Sequence, residues 1–131
     1  MTETNYFIAI DGDSVGRHIE QLIMSSKLHE LYEYSYTINQ YIEKLRLFSE
    51  NLGGKIYLQG GDNLLVELSE YQLFIEKMIL TRSETKASFS VGIAKRSVEA
   101  YLGLKYAKSA GKGLVILVEN SNGSLHFKHI T

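Results

Sequence analysis

The sequence predicts an α+β domain, a mainly antiparallel sheet with helices packed on it. Three observations carry this prediction. Short apolar runs of strand length alternate with stretches of helical periodicity. Leu28, Leu31, Ile38, Ile42, Leu45 and Leu52 recur at steps of three, four or their sum of seven, which lines them up on one stripe of a long helix. Glycine pairs, Gly53-Gly54 and Gly60-Gly61, punctuate the pattern where a helix must stop and a chain must turn.

The elements follow in order. Tyr6 to Ile10 is an apolar run ending at Asp11 and reads as a buried strand. Ser14 to Met24 reads as a first helix, with Asp13 or Ser14 available as its cap. The long helix then runs to Gly53-Gly54. Ile56 to Leu58 and Leu64 to Leu68 read as a hairpin joined by Gly60-Gly61-Asp62-Asn63. Tyr71 to Leu80 reads as a third helix and Ser88 to Ala94 as a strand. Val98 to Ala110 reads as a fourth helix, closed by Gly111 and Gly113. Leu114 to Glu119 is a further strand, and Leu125 to Phe127 adds an edge strand after the Asn122-Gly123 turn. The order βααββαβαβ begins with the split β-α-β pattern of ferredoxin-like domains. Helices are expected to cover one face of the sheet, with both hairpin strands central or near central.

Bulk properties narrow the function classes. A chain of 131 residues is expected to be one domain, 1–131. Its 44% hydrophobic and 22% charged residues are those of an ordinary globular protein. Cysteine is absent, which rules out disulfides and thiolate metal sites. No apolar run approaches the ~20 residues of a membrane span, so direct membrane binding is not expected. Thr2 to Asn5 carries neither the basic start nor the cleavage site of a signal peptide, as expected of a cytoplasmic chain. The net charge of -1 offers no general basic face for long nucleic acid. Small anionic ligands need only a few local cations.

Three features can carry chemistry. Asp11-Gly12-Asp13 lies where the first strand ends and the first helix begins. Free amides at a helix start favour phosphate, and a carboxylate beside them can hold a hard cation such as Mg²⁺. Asp13 equally fits a plain helix cap. Gly60-Gly61-Asp62-Asn63 lets backbone approach a ligand closely and projects a carboxylate, although a plain type I′ turn has the same composition. A ferredoxin-like order can bring Asp62 beside Asp11 around one cation. Lys105, Lys108 and Lys112, spaced by three and four, fall on one helical face and suit phosphate. A solvated helix face has the same spacing. No phosphate loop of the Walker type and no nucleophile elbow is present, and the four histidines lack metal-binding spacing.

In combination these segments resemble the GGDEF/CRISPR-polymerase palm superfamily, in particular the minimal CRISPR polymerases. The likeness rests on FIAIDGDSVG (7–16), GGKIYLQGGDNLL (53–65), FSVGIA (89–94) and YLGLKYAKSAGKG (101–113). The last two are similar to the diguanylate cyclase segments SIGIA and ALYxAKxxGRN. The resemblance implies a GGDEF-like palm and gives roles by position. Asp11 and Asp62 match metal-binding acidic positions, and Gly12 the position that offers a carbonyl to the metal. Ser14, Val15 and Gly16 match the turn that holds phosphates, with Asp13, Gly60 and Gly61 beside it. Lys108 and Lys112 match the basic residues that reach the triphosphate, and Lys105 joins them as a phosphate-binding candidate by its spacing. Asn63 stands at the fourth hairpin position of the catalytic motif. That position is usually Glu or Asp, so direct deprotonation by this residue is not available.

The implied activity is a nucleotidyl cyclase that uses Mg²⁺ or Mn²⁺ to make a cyclic (di)nucleotide from a nucleoside triphosphate, ATP favoured, with release of pyrophosphate. A homodimer with facing sites would align two nucleotides by symmetry. The resemblance extends to the synthases of Panoptes-type anti-phage systems, whose cyclic di-adenylate acts on a separate membrane effector. The GGDN hairpin is also similar to that of archaeal type III GTP cyclohydrolases, which open a guanine ring. A non-catalytic nucleotide-binding palm is the third reading.

Overall fold

A computed structural model describes residues 4–131. The elements are β1 (Tyr6–Gly12), α1 (Val15–Met24), α2 (Leu28–Asn51), β2 (Lys55–Gln59), β3 (Asn63–Leu68), α3 (Tyr71–Thr81), β4 (Phe89–Ala94), α4 (Ser97–Ser109), β5 (Val115–Ser121) and β6 (Ser124–His129). A 3₁₀ turn, Arg82–Glu84, follows α3. The strands form one sheet in the order β2-β3-β1-β4-β5-β6. Every pairing is antiparallel except β4 with β5, which α4 connects as a crossover. β1 therefore lies inside the sheet, bonded to β3 on one side and β4 on the other. Among the described residues no helix is long and apolar enough to cross a membrane.

Helices cover both faces of the sheet, not one. The alternation of side chains along the strands explains why. Ile8, Ile10, Leu64, Val66, Val91 and Ile93 point to one face and pack with Ile38, Ile42, Leu45 and Phe74 from α2 and α3. Ala9, Ala94, Ile116 and Val118 point to the other and pack with Ala100, Leu104 and Ala107 of α4. Small residues on this second face let α4 lie close.

The long helix has the predicted span, but its buried stripe is shorter. Ile38, Tyr41, Ile42, Leu45 and Ser49 are buried, whereas Leu28 is exposed because the first turns of α2 run past the sheet. The Tyr41 hydroxyl donates to the Met78 carbonyl at 3.1 Å, which ties α2 to α3. The hairpin also departs from expectation. β3 is next to β1, but β2 is the sheet edge and most of its residues are exposed.

The close seat of α4 depends on two glycines. A Cβ on Gly92 of β4 would run into the Ala100 carbonyl oxygen and the Leu104 nitrogen. A Cβ on Gly103 would lie 2.7 Å from Val118 Cγ2 and 3.2 Å from the Gly92 Cα. Backbone cannot yield as a side-chain tip can. Gly92→Ala is therefore expected to destabilise the fold by about 3 kcal/mol through overpacking. Denaturant unfolding measures this, and an unchanged midpoint would refute the close contact.

Candidate active site

Two carboxylates meet at the end of β1. The antiparallel register pairs Asp11 with Asn63, which sets Asp62 beside Gly12. The Gly12 N–H donates to the Asp62 carbonyl at 2.9 Å and pins the hairpin tip to the strand end. Asp11 shares its face with Ala9, the α4 side. Asp62 turns to the other side, into a cavity of about 200 Å³ lined by Val15, Gly16, Ser35, Asn39 and Gly61. The two carboxylates thus approach the sheet edge from opposite faces, at the level of a residue with no side chain. A Cβ on Gly12 would stand 2.6 Å from Val15 Cγ2 and 3.2 Å from Asp62 Oδ2. Burial raises the Asp62 carboxyl pKa, and the negative charge of Asp11 raises it further.

The hairpin tip is not a type I′ turn. That turn needs positive φ at both central residues, and among the described residues neither Gly60 nor Gly61 has it. Gly60 is needed for a different reason. Asn63 folds its amide over it, and a Cβ there would lie 2.6 Å from Asn63 Oδ1. That oxygen is buried and accepts no hydrogen bond. The other end of the amide makes a long 3.5 Å contact to Asp62 Oδ1.

One ammonium joins the loops. Lys108, on α4, contacts Asp11 Oδ2 at 2.9 Å, the Gly12 carbonyl at 2.9 Å and Asp13 Oδ1 at 3.2 Å. Burial acts to lower the Lys108 pKa, but Asp11 and Asp13 outweigh it and the net shift is upward. Asp13 is almost wholly buried and fully occupied. Its carboxylate accepts from Ser90 Oγ at 2.6 Å, Ser88 Oγ at 2.7 Å, the Gly113 N–H at 2.9 Å and Lys108. Burial acts to raise its pKa, and these four donors together bring it below the ordinary value of 3.8. Asp13 is neither a helix cap nor positioned to touch phosphate. It is the knot that holds the β1–α1 loop, the start of β4 and the α4–β5 turn together.

The remaining predicted residues divide. Ser14 is the residue before α1 and adopts a left-handed φ of 56°, with no side-chain cap bond. Val15 is buried, and Gly16 lies in the first turn of α1, whose amides have no carbonyl within the helix. Lys112 is not on the helical face with Lys105 and Lys108, because α4 ends at Ser109. It sits in the next turn with φ 66°, and its Nζ donates to Ser14 Oγ at 2.6 Å. Lys105 lies over the Tyr101 ring, its ammonium 5.1 Å from the ring centre. Ser88, Ser90, Ser35 and Asn39 were not singled out by sequence. Ser88 and Ser90 had a signal, two hydroxyls on one face of an otherwise apolar strand.

The donor set suits a hard divalent cation. Among the described residues no three His, Cys, Asp or Glu side chains cluster as a metal site. The set on offer is two carboxylates and the Gly12 carbonyl, and two of its oxygens already converge on one ammonium. An all-oxygen set with only one or two carboxylates is what Mg²⁺ takes when phosphates complete its shell.

A central strand ending in an acidic turn, an acidic hairpin beside it and a lysine helix over both define a cyclase-type palm. Solved structures share the fold. The chain is similar to a diguanylate cyclase/phosphodiesterase from Caldicellulosiruptor saccharolyticus, at 19% identity and TM-score 0.59 over 95% of this chain and 80% of that one. It is similar to the adenylyl cyclase CyaB from P. aeruginosa, at 14% identity and TM-score 0.55 over 88% and 76%. The guanylyl cyclase Cya2 matches at 14% identity and TM-score 0.55 over 98% and 94%. No curated protein matches the chain. The minimal CRISPR polymerase domain matches residues 7–118, and the chain belongs to that family.

Removing the Asp13 knot leaves its donors unpaired. Asp13→Ala is expected to cost at least about 3 kcal/mol of stability. The pH dependence follows from the lowered carboxyl. The contribution of Asp13 is complete above its ordinary 3.8 and fades as the pH falls through the lower folded value. Unfolding free energies measured from neutral to acid pH should converge for wild type and Asp13→Asn at the acid end. Parallel curves would contradict the assignment.

Proposed function

We propose that the chain is a metal-dependent nucleotidyl cyclase acting in the cytoplasm, making a cyclic dinucleotide from nucleoside triphosphate. The observation that carries this reading is that Asp11, the Gly12 carbonyl and the Asp62 backbone come side by side at one strand end, with Lys108 on the first two. Family membership supports ATP as substrate and cyclic di-adenylate as product, in anti-phage defence with a separate membrane effector.

A ribose hydroxyl oxygen bonds to the α-phosphorus of the donor nucleotide. The bond from that phosphorus to the oxygen bridging to the β-phosphate breaks, and its electron pair leaves with pyrophosphate. The hydroxyl proton passes to water, because Asn63 is no base. A Mg²⁺ or Mn²⁺ held by Asp11, Gly12 and Asp62 would polarise the α-phosphate and acidify the attacking hydroxyl. Lys108 exchanges Asp11 and Gly12 for the phosphates, while Asp13 keeps its amine near. Lys112 approaches from the turn, and the first amides of α1 face the triphosphate. The cavity beside Asp62 takes the nucleoside of this donor. Positioning and charge stabilisation supply most of the rate in such transfers. Two palms facing each other as a homodimer would enclose the reacting pair.

Asp11→Ala or Asp62→Ala is expected to lower turnover at least ~100-fold, about 2.7 kcal/mol of barrier. The assay incubates pure protein with each nucleoside triphosphate and Mg²⁺ or Mn²⁺ and identifies products by mass. Pyrophosphate with a cyclic phosphodiester supports the proposal. A formylated pyrimidine would instead mark the GTP ring hydrolase, and intact bound nucleotide a non-catalytic palm. Sedimentation of the active enzyme tests the dimer, which a fully active monomer would contradict.

A further inference from the structure

A second cavity flanks the carboxylate pair, on the α4 side of the sheet. It has a volume of about 230 Å³ and lies between α4 and the β2–β3 hairpin. One wall is Tyr101, Leu104 and Lys105 of α4, the other Leu58 and Leu65 of the hairpin, and Asp11 with Lys108 closes the inner end. The site described above uses only that inner end. Because β2 is the sheet edge and α4 lies over the strands beyond it, this stretch of sheet has no helix on it. Leu58 is 56% exposed and Tyr101 52% exposed, and the two face the same cleft.

We infer that this cleft is a second nucleotide seat, taking the ring of an acceptor nucleotide whose base carries an exocyclic amino group; the inference rests on the nucleotidyl-cyclase reading above. Four features of the cleft support that occupant. Its volume falls below the ~300–1,000 Å³ of sites for drug-sized ligands, which suits one ring system. Its walls combine flat aromatic and aliphatic surface, the environment on which bases stack. Cations stand at its inner half. Lys105 lies against the Tyr101 ring, and Lys108 is on Asp11. An aromatic surface thus comes with positive charge for phosphate. Finally, Asn63 lines the cleft, and its buried Oδ1 has no donor. Buried acceptors normally have one, and an amino group on a base supplies it. The other end of the same amide makes only the long 3.5 Å contact to Asp62.

The consequence is a count. Facing sites in a dimer require one nucleotide per chain, whereas donor and acceptor cavities on one chain hold two. The partner protomer then closes over the pair and excludes water, and the acceptor is already seated.

Titration calorimetry with an α,β-methylene ATP analogue and Mg²⁺ tests this on the full chain. The wild type is expected to bind two equivalents per protomer. Leu58→Glu and Tyr101→Ala, on separate elements and at exposed positions, are each expected to weaken one equivalent at least tenfold and leave the other. The retained equivalent shows that each variant is folded. One equivalent in the wild type, or two undisturbed equivalents in both variants, would overturn the second seat and leave the cyclase reading intact. Variants that become monomeric with unchanged binding would show that the cleft holds a second copy, and would overturn it too. No binding at all would overturn the nucleotide reading of the whole site.

Discussion

The contact of the Lys108 ammonium with Asp11, Gly12 and Asp13 is the constraint on which the rest of the site depends. Carboxylates crowd together at a strand end only where positive charge balances them. Lysine supplies that charge as a mobile point on a flexible stem, which suits an exchange between protein oxygens and phosphates. The knot beneath it is saturated. Asp13 has four donors, and three of them are Ser88 just before β4, Ser90 in β4 and Gly113 in the turn after α4. The fold thus separates two aspartates two residues apart into a saturated anchor, Asp13, and a partly exposed carboxylate, Asp11.

The sheet explains how Asp11 and Asp62 meet. Antiparallel pairing of β1 and β3 brings residues far apart in sequence to the same level, and one residue of offset puts their side chains on opposite faces. Only a residue without a side chain at Gly12 leaves the edge between them open. The same economy of space appears at Gly92 and Gly103, where backbone meets backbone and brings α4 close enough for Lys108 to reach across. Packing far from the chemistry therefore sets the position of the chemical groups.

Much of this was legible in the sequence. The element order follows from periodicity and glycine placement, because apolar spacing of 2 and 3.6 reflects burial directly. Asp11, Gly12 and Asp62 stood out because their neighbours form motifs at element boundaries. What could not be read was anything set by tertiary geometry. Asp13 resembles a cap locally, and only the approach of Ser88, Ser90 and Gly113 shows its saturation. Lys112 continues the helical spacing of Lys105 and Lys108, but the chain leaves the helix three residues earlier, at Ser109. The second face of the sheet was hidden because β1 and β4 give it Ala9, Gly92 and Ala94, whose weak hydropathy masks a buried surface. The Asn39 and Ser35 cavity depends on how α2 crosses the hairpin, which spacing alone does not encode.

The central claim is that Asp11 and Asp62 share one divalent cation once nucleotide is bound. Anomalous diffraction from crystals grown with Mn²⁺ and a non-hydrolysable triphosphate measures this directly. A shared cation gives a manganese peak within coordination distance, about 2.0–2.3 Å, of oxygens from both carboxylates, with Lys108 withdrawn to the phosphates. A peak held by phosphate oxygens alone, with Lys108 still on Asp11, would contradict it.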